Sequence, residues 1–261
     1  MRLPGLPLLL LAAATAAAEW REVWRDDFAG AELDWTRWAV EENGHGGGNN
    51  ELQYYRDRPR NVRVENGHLV LEAHREAVNV AGVRKDYSSG RIRTKRRADW
   101  LHGRFEITAQ LPAGKGLWPA FWMLPSEETY GGWAASGEID IMELRGGEPD
   151  RVHGTLHFGG AWPRNIHRGG SHRLAQGDFA SGMRTFALEW ERGSFRWFVD
   201  GVAYHTETNW SSEGGPFPAP FDRRFHLILN LAVGGGFGGP VSPETRFPAQ
   251  IRVDTVRVLQ R

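Results

Sequence analysis

Short runs in which apolar and polar residues alternate recur along most of this chain, and they constrain its fold more than any other feature. The clearest run covers residues 104–111, where four polar residues alternate with four apolar ones. Side chains of a β-strand point alternately to the two faces of the sheet, so this pattern predicts a strand with one buried and one solvated face. Helical periodicity is rare. The chain is therefore predicted to be all-β, as a sandwich or a barrel.

Comparable patterns predict further strands, and two short turn sequences predict hairpins. Asn66-Gly67 and Asp200-Gly201 are the two-residue turns that tight hairpins favour. The segment 225–233 is apolar at almost every position except Asn230, so we expect it to be buried on both faces. The other predicted strands comprise residues 23–28, 118–124, 154–158, 186–190, 195–199, 202–205 and 251–259.

Composition limits the class of protein. The chain has 261 residues with 40% hydrophobic content, enough for one large core, and no linker divides it. We therefore predict one domain over residues 19–261. The formal net charge is zero, which argues against a nucleic-acid partner bound through a basic face. There is no cysteine, so thiol catalysis and cysteine metal sites are excluded.

Residues 1–18 are predicted to be a secretory signal peptide. Arg2 supplies a short positive start, an apolar stretch follows, and small residues precede Glu19. The apolar stretch is too short for a typical membrane span, although an uncleaved anchor is the alternative. We expect a secreted protein, extracellular or periplasmic, without a membrane contact after cleavage.

The segment 138–143 combines three carboxylates with three apolar side chains. Strict alternation places Glu138 and Asp140 on one face of a strand and puts Glu143 on the opposite, apolar face. An unpaired charge in a core is costly, so we predict a β-bulge near Met142 that returns Glu143 to the face of the other two acids. Neighbouring carboxylates with separated pKa values are what glycoside hydrolysis requires.

Metal binding is the alternative interpretation of these acids and of two nearby histidines. Clustered carboxylate oxygens also bind calcium. His153 and His157 suggest zinc, but the usual zinc pairing needs helical spacing and a third ligand. The apolar residues and tryptophans around the acids favour a sugar-binding cleft over a metal site.

The sequence Gly137-Glu138-Ile139-Asp140-Ile141-Met142-Glu143 resembles the catalytic signature of glycoside hydrolase family 16. Five other blocks agree with that family in the same order, and together the six span nearly the whole mature chain. Their pattern is similar to the laminarinase branch, the endo-β-1,3-glucanases. These five blocks are residues 49–55, 89–92, 116–124, 153–157 and 229–235.

The resemblance implies a jelly-roll sandwich of two antiparallel sheets with a concave substrate cleft. It also implies retaining hydrolysis without a cofactor, with Glu138 as the nucleophile and Glu143 as the general acid and then base. Asp140 would tune both. The spacing Glu-x-Asp-x-x-Glu is the bulged form typical of laminarinases, whereas lichenases show Glu-x-Asp-x-Glu.

The resemblance further implies substrate-binding residues and a structural calcium. By pattern alone, a tryptophan pair four residues apart on a strand fits core packing as well as sugar stacking. The implied substrate-binding residues are Asn50, Arg91, Trp118, Trp122, Trp133 and His157, and we add Asn230. The implied calcium ligands on the convex face are Asp27, the Gly67 carbonyl and Asp254.

Three alternatives to a β-1,3-glucanase stay open at this point. The first is a mixed-linkage β-1,3-1,4-glucanase, and the second is a transglycosylase. The third is a non-catalytic β-glucan-binding protein of the same fold, which usually lacks the carboxylates found here. The partner we expect is a β-glucan polysaccharide or oligosaccharide, bound by a monomer.

Overall fold

The structure, a computed structural model, describes residues 19–261, so the predicted signal peptide at residues 1–18 lies outside the described residues. Strands dominate the described chain. In chain order they are β1 (Arg21–Asp26), β2 (Ala39–Val40), β3 (Gln53–Tyr55), β4 (Val62–Glu65), β5 (His68–Val80), β6 (Val83–Ser89), β7 (Arg91–Arg93), β8 (Gly103–Gln110), β9 (Leu117–Pro125), β10 (Glu138–Leu144), β11 (Arg151–Gly159), β12 (Asn165–Arg173), β13 (Arg184–Glu191), β14 (Ser194–Val199), β15 (Val202–Glu207), β16 (Phe225–Val233) and β17 (Ala249–Gln260).

Two sheets form the sandwich. One has ten strands, in the order β15-β14-β13-β8-β17-β5-β6-β3, with β1 beside β17 and β4 beside β5. The other has seven, in the order β12-β11-β10-β9-β16-β7-β2. The pairs are antiparallel apart from β3 with β6. A one-turn helix, α1 (Gly235–Gly238), follows β16. The architecture is the predicted jelly-roll sandwich.

The core lies between the sheets. On β8 the apolar residues Phe105, Ile107 and Ala109 are fully buried, while their polar neighbours are partly exposed, as alternation predicts. Burial of apolar surface contributes roughly 25 cal/mol per Å². Aromatic rings fill much of the space, and Trp190 contacts Phe195 and Phe225 at centroid distances of 5.8 and 5.4 Å. Such pairs prefer stacked or edge-on geometry.

Strand β16 lies inside the seven-stranded sheet, between β9 and β7, and is buried at every position. Its odd-numbered residues, including Leu229 and Leu231, belong to the core between the sheets. Its even-numbered residues Asn230 and Ala232 line a cleft on the outer face of the sheet. The prediction that this segment is buried on both faces is confirmed.

The predicted first strand, residues 23–28, is wrong at both ends, because β1 covers Arg21–Asp26. This strand pairs with β17 at the edge of its sheet, so Val23 is 51% exposed despite its apolar side chain. The strand ends where the Phe28 backbone N–H donates to Asp26 Oδ1 and the chain turns with φ of 51° at Phe28. The predicted bounds were therefore two residues too late, because they relied on the hydrophobic side chains of Val23 and Phe28.

Within residues 19–261 no helix combines the length and the hydropathy that crossing a bilayer requires.

Candidate active site

A β-bulge in β10 brings the three carboxylates to one face. On the β11 side Asp140 pairs with Thr155 and Glu143 with His153, so two residues of β10 lie opposite Gly154 alone. On the β9 side the register also shifts by one residue after Asp140. The two residues that form the bulge, Ile141 and Met142, are buried in the core. The predicted bulge near Met142 is confirmed.

Contacts from the opposite sheet hold the bulge in place. Trp197 of β14 donates from its indole Nε1 to the backbone carbonyl of Asp140, at 2.8 Å. Its ring lies against Gly154, where an added Cβ would approach Trp197 Cδ1 to 2.2 Å. A β-bulge leaves ladder groups unpaired, and an unpaired buried carbonyl is costly. Trp197 satisfies that carbonyl, and Gly154 leaves room for its ring.

The three acids lie beside His157 on the cleft face of the sheet. Asp140 is 3% exposed and Glu143 is 9% exposed, while Glu138 is partly exposed. His157 Nε2 lies 3.2 Å from Asp140 Oδ2 and 3.7 Å from Glu138 Oε1. The predicted position of His157 beside the acids is therefore correct.

Two tryptophans each donate a hydrogen bond to one of the glutamates. Trp133 Nε1 donates to Glu138 Oε2 at 2.9 Å. Trp118 Nε1 donates to Glu143 Oε1 at 3.0 Å. A donor to a carboxylate stabilises its charged form and fixes its orientation. The tryptophans thus have a polar function that the sequence did not indicate, besides offering ring faces to the cleft.

The acids bind protons more tightly than ordinary carboxyl groups. The pKa values of Glu138, Asp140 and Glu143 are each raised to about 8, chiefly by burial. For both glutamates the Asp140 charge contributes to this increase, whereas His157 opposes it. The physical causes are loss of hydration and mutual repulsion. The cluster therefore carries fewer than three negative charges near neutral pH.

Glu138 is the least buried of the three acids, and its Oε1 lies 3.7 Å from His157 Nε2. The Trp133 bond also lowers its pKa relative to burial alone. Once Glu138 is ionised, its charge helps to retain the proton on Glu143. One ionised and one protonated glutamate is the arrangement that retaining hydrolysis uses.

The acids line a cavity of about 590 Å³ on the outer face of the seven-stranded sheet. This size matches a cleft for a small molecule or for a few residues of a polymer. Apolar and aromatic surfaces meet polar groups there, as sugar recognition requires. The lining residues are His45, Gly47, Gly48, Asn49, Glu51, Arg91, Trp118, Ala120, Trp122, Leu124, Trp133, Glu138, Asp140, Glu143, Trp162, Asn230 and Ala232.

Arg91 and Trp122 form one wall of the cleft. The Arg91 guanidinium lies 4.9 Å from the Trp122 ring centroid, and its Nε lies 2.8 Å from Glu41 Oε2. Trp122 Nε1 donates to Asn230 Oδ1 at 2.6 Å, and Asn230 Nδ2 donates to the Tyr55 hydroxyl at 3.1 Å. Both polar atoms of Asn230 are therefore engaged within the protein. Asn230 positions Trp122, which is a less direct role than the expected contact with substrate.

Asn50, which was predicted to bind substrate, does not belong to the residues that line the cleft. Asn49 and Glu51 line the cleft, whereas Asn50 between them has an exposed side chain and φ of 58°. Asparagine tolerates this left-handed conformation better than most residues. Asn50 therefore acts as a turn residue in this structure, in agreement with its position in a glycine-rich loop.

Trp162 is a cleft residue that the sequence patterns missed. It is 73% exposed and lines the cavity, and its backbone N–H donates to the Trp133 carbonyl at 3.0 Å. A tryptophan in a polar loop is poorly placed for core packing. The polar neighbours of Trp162 in the sequence could therefore have indicated that its side chain is exposed. Trp133 is 42% exposed, so the two rings give the cleft an accessible aromatic end.

One group of metal-ligating side chains occurs within residues 19–261, formed by Glu138, Asp140 and His157. His153 is not part of it. That residue pairs with Glu143 across the sheet and packs edge-on against Phe237 at 5.5 Å. The suggestion of a zinc pair made by His153 and His157 therefore fails.

The expected calcium ligands have suitable chemistry. The pairing of β17 with β5 places Asp254 next to His68, one residue beyond Gly67, and His68 Nε2 lies 3.9 Å from Asp254 Oδ1. Asp27 follows directly after β1, whose Asp26 pairs with Val256. Two carboxylates and a turn carbonyl are hard oxygen donors that fit calcium. Calcium binding stays a prediction.

Comparison with known proteins assigns the chain to a family. The model of Glycosyl hydrolases family 16 matches residues 49–237. A glucan endo-1,3-beta-glucosidase from Cryptopygus antarcticus is 46% identical over 248 residues, which cover 91% of this chain and 90% of that protein. Glucan endo-1,3-beta-glucosidase A1 from Niallia circulans is 42% identical over 253 residues, covering 90% of this chain and 37% of that protein.

Solved structures agree. The X-ray structure of the laminarinase from Rhodothermus marinus matches with a TM-score of 0.83 at 44% identity, covering 93% of this chain and 98% of that one. The matched family segment contains all three acids, the bulge and both glutamate-bonded tryptophans. The chain therefore belongs to glycoside hydrolase family 16.

Proposed function

We propose that the protein is a retaining endo-β-1,3-glucanase that cleaves laminarin-type glucans. The observation that carries the proposal is the bulge in β10, which aligns Glu138, Asp140 and Glu143 beneath one cleft. The names of the relatives, glucan endo-1,3-beta-glucosidases and a laminarinase, support the linkage. A glucan-binding protein without activity would have no use for three buried acids that repel one another.

In the first step the Glu138 carboxylate attacks the anomeric carbon and forms an ester with it. Glu143 transfers its proton to the departing glycosidic oxygen as that bond breaks. Retaining enzymes hold the two carboxyl groups about 5–5.5 Å apart, too close for a water molecule between them. The donors Trp133 and Trp118 keep both carboxyl groups oriented through the step.

In the second step Glu143, now a carboxylate, removes a proton from water. The water oxygen attacks the anomeric carbon and releases Glu138 as a carboxylate. Because Glu138 carries no charge while it is an ester, the repulsion that held the proton on Glu143 is reduced. Glu143 therefore becomes a base when the mechanism needs one. No cofactor takes part in either step.

Substrate binding is proposed to use aromatic faces and the charged wall of the cleft. The cavity is lined by Trp118, Trp122, Trp133 and Trp162, and the Arg91 guanidinium lies over the Trp122 ring. Sugar rings stack on tryptophan, while the guanidinium offers donors to hydroxyl groups. Each glucan unit would thus be held by one ring face and a few hydrogen bonds.

A substrate panel tests the proposal. The purified enzyme is incubated with laminarin, lichenan, agarose and xyloglucan, and the products are identified by mass spectrometry. We expect laminari-oligosaccharides from laminarin at the highest rate. Rapid cleavage of lichenan with little action on laminarin would favour a mixed-linkage glucanase, and transfer products in excess of hydrolysis products would favour a transglycosylase.

We also propose that the protein is secreted as a monomer, through the signal peptide predicted at residues 1–18. The composition of that segment and the small residues before Glu19 support cleavage there. N-terminal sequencing of protein recovered from the periplasm or the medium tests this. The expected first residue is Glu19, and a mature protein that begins at Met1 would contradict secretion by cleavage.

A further inference from the structure

We propose that Glu138, Asp140 and His157 form a binding site for Zn²⁺ and that the ion inhibits the enzyme reversibly. The site is the one group within residues 19–261 whose His, Asp and Glu ligand atoms lie within 4.8 Å of one another. The inhibitory consequence rests on the function proposed above. Zinc binding itself does not.

The distances fit tetrahedral zinc. Zinc binds histidine nitrogen and carboxylate oxygen at about 2.0–2.2 Å, so neighbouring ligand atoms of a tetrahedral site lie about 3.4 Å apart. His157 Nε2 lies 3.2 Å from Asp140 Oδ2 and 3.7 Å from Glu138 Oε1. These two separations fall on either side of the ideal value. Little movement of the side chains is therefore needed to bind an ion.

The ligand atoms are also available. Asp140 is 3% exposed, and its Oδ2 accepts no hydrogen bond from any described residue, although it faces His157. An unpaired buried carboxylate oxygen is unusual and costly. Glu138 uses Oε2 for the bond from Trp133, which leaves Oε1 toward the cluster. Two oxygens and one nitrogen thus converge without competing protein donors.

The donor set selects the type of metal. Calcium takes six to eight oxygen ligands, and this cluster offers only two carboxylates and an imidazole. Imidazole nitrogen suits zinc, copper and nickel, and zinc sites with three protein ligands keep a fourth position for water. The cleft opens to solvent there, so a water molecule can complete the coordination.

The surroundings of His157 indicate a weak and reversible site. A resident zinc site almost always anchors the second ring nitrogen of its histidine with a carboxylate or carbonyl, and loss of that contact costs about 10–100-fold in affinity. His157 Nδ1 has no hydrogen-bond partner among residues 19–261. The site therefore resembles that of an inhibitory ion more than that of a bound cofactor.

Zinc at this position blocks the reaction directly. Coordination occupies Glu138 Oε1 and withdraws electron density from the carboxylate that must attack the anomeric carbon. The ion also fills the space that the reacting sugar needs above Asp140. Zinc and glucan are therefore expected to exclude each other.

Isothermal titration calorimetry with ZnCl₂ tests the binding site on metal-free mature enzyme. His157→Gln removes the nitrogen ligand and is expected to weaken zinc binding by more than about tenfold, since loss of a mere contact to a ligating histidine already costs about 10–100-fold. His153→Gln, on the same strand but outside the cluster, is the matched control and should keep the parent affinity within about threefold. If His157→Gln fails to fold by circular dichroism, Glu138→Gln replaces it with the same expectation. Equal loss in both histidine variants, or no zinc binding by the parent, would overturn the proposal.

Inhibition is measured separately, as laminarin hydrolysis with and without zinc. We expect zinc to lower the rate, EDTA to restore it, and laminari-oligosaccharides to weaken the zinc affinity measured by calorimetry. Full activity with zinc bound would overturn the inhibitory role. If the metal-free enzyme does not cleave laminarin, the proposed function fails, while calorimetry still decides whether the metal site exists.

Discussion

Glu138 and Glu143, the two glutamates proposed as catalytic, differ less in their own chemistry than in their hydrogen-bond partners. Trp133 donates to Glu138 and Trp118 donates to Glu143, and each bond lowers the pKa of the acid that it contacts. Since burial raises the pKa of both acids to about 8, these indole donors are the local means of adjusting them. The two tryptophans thereby link sugar binding to proton transfer.

Removal of each donor should move one limb of the pH profile. In the pH profile of kcat/KM, the acid limb reports the pKa of the nucleophile and the alkaline limb reports the pKa of the general acid. Trp133→Phe removes a bond that favours ionised Glu138, so the acid limb should rise by about 0.5–1 pH unit. Trp118→Phe should raise the alkaline limb by a similar amount. Trp122→Phe is the control, because its indole bonds to Asn230.

Movement of the same limb in the Trp133→Phe and Trp118→Phe enzymes would contradict the assignment of nucleophile and acid. So would a comparable movement in the control enzyme, since Trp122 contacts neither glutamate through its indole nitrogen.

For single residues, the sequence indicated that the three acids share one face of a strand, but it indicated less about the residues around them. Three carboxylates in one short strand are a pattern that folding alone does not explain, so Glu138, Asp140 and Glu143 were identifiable. Asn230 was predicted to contact substrate, yet both its polar atoms bond to Trp122 and Tyr55. Hydrogen bonds between residues 108 positions apart depend on tertiary structure and leave no local pattern.

The bulge in β10 is an element whose shape depends on the opposite sheet. Trp197 of β14 donates to the Asp140 carbonyl, and Gly154 of β11 leaves room for the indole ring. The bulge thus connects the catalytic face with the core of the sandwich. Glycine at residue 154 is explained by this close approach, and no turn or positive φ is needed.

Gly154→Ala should damage the bulge and the activity together. Its Cβ would lie 2.2 Å from Trp197 Cδ1, so the indole must shift away from the Asp140 carbonyl. Overpacking of a core typically costs about 1–3 kcal/mol. We expect that loss in urea unfolding and a fall in kcat of at least about tenfold. Gly182→Ala, where an added Cβ meets nothing within 4 Å, is the control.

Normal activity and stability of Gly154→Ala would show that the bulge does not depend on Trp197. A loss of stability with unchanged kcat would show that activity does not depend on the packing of Trp197 against Gly154, and it would contradict the proposed link between the core and the bulge.

Strands with a clear apolar pattern were predictable, whereas strands without one were not. β8 was identified from its alternation and β16 from its continuous apolar run, and the apolar residues of both are buried. β12 was missed, since it lies at the edge of its sheet, is largely exposed, and has the sequence Asn-Ile-His-Arg-Gly-Gly-Ser-His-Arg. Its pairing with β11 depends on backbone hydrogen bonds, and the hydropathy of side chains gives no information about those bonds.

For the whole molecule, the acid cluster makes stability depend on pH. Glu143 has a pKa near 4.5 when unfolded and about 8 when folded, so the folded state binds the proton more tightly. Its contribution to stability is fully present below about pH 4.5 and is lost as the pH rises through about 8. The raised pKa of Glu143 therefore carries a cost in stability at alkaline pH.

Glu143→Gln should remove that cost. At about pH 9 we expect the variant to be more stable than the parent by on the order of 1–3 kcal/mol, with a melting temperature several degrees higher. At about pH 4 the two proteins should be nearly equal. The exposed Glu127→Gln is the control and should change little at either pH. An equal difference at both pH values would contradict the raised pKa of Glu143.

Calcium at the convex face is the second prediction for the whole molecule. If Asp27, the Gly67 carbonyl and Asp254 bind the ion, calcium should raise the melting temperature of EDTA-treated enzyme, because a ligand that binds only the folded state stabilises it. Asp254→Asn should abolish the increase. No change with calcium, together with no calcium in the purified protein by mass spectrometry, would exclude the site.

The central claim is that the bulge makes Glu138 the nucleophile and Glu143 the acid and base. The most direct measurement is the NMR configuration of the glycosyl azide that alanine variants form from an aryl β-laminaribioside in sodium azide. Azide replaces the missing carboxylate of Glu138→Ala and attacks the substrate itself, which gives the α-azide. In Glu143→Ala azide replaces water and attacks the ester on Glu138, which gives the β-azide. The reverse pair of configurations, or the same one from both variants, would contradict the account.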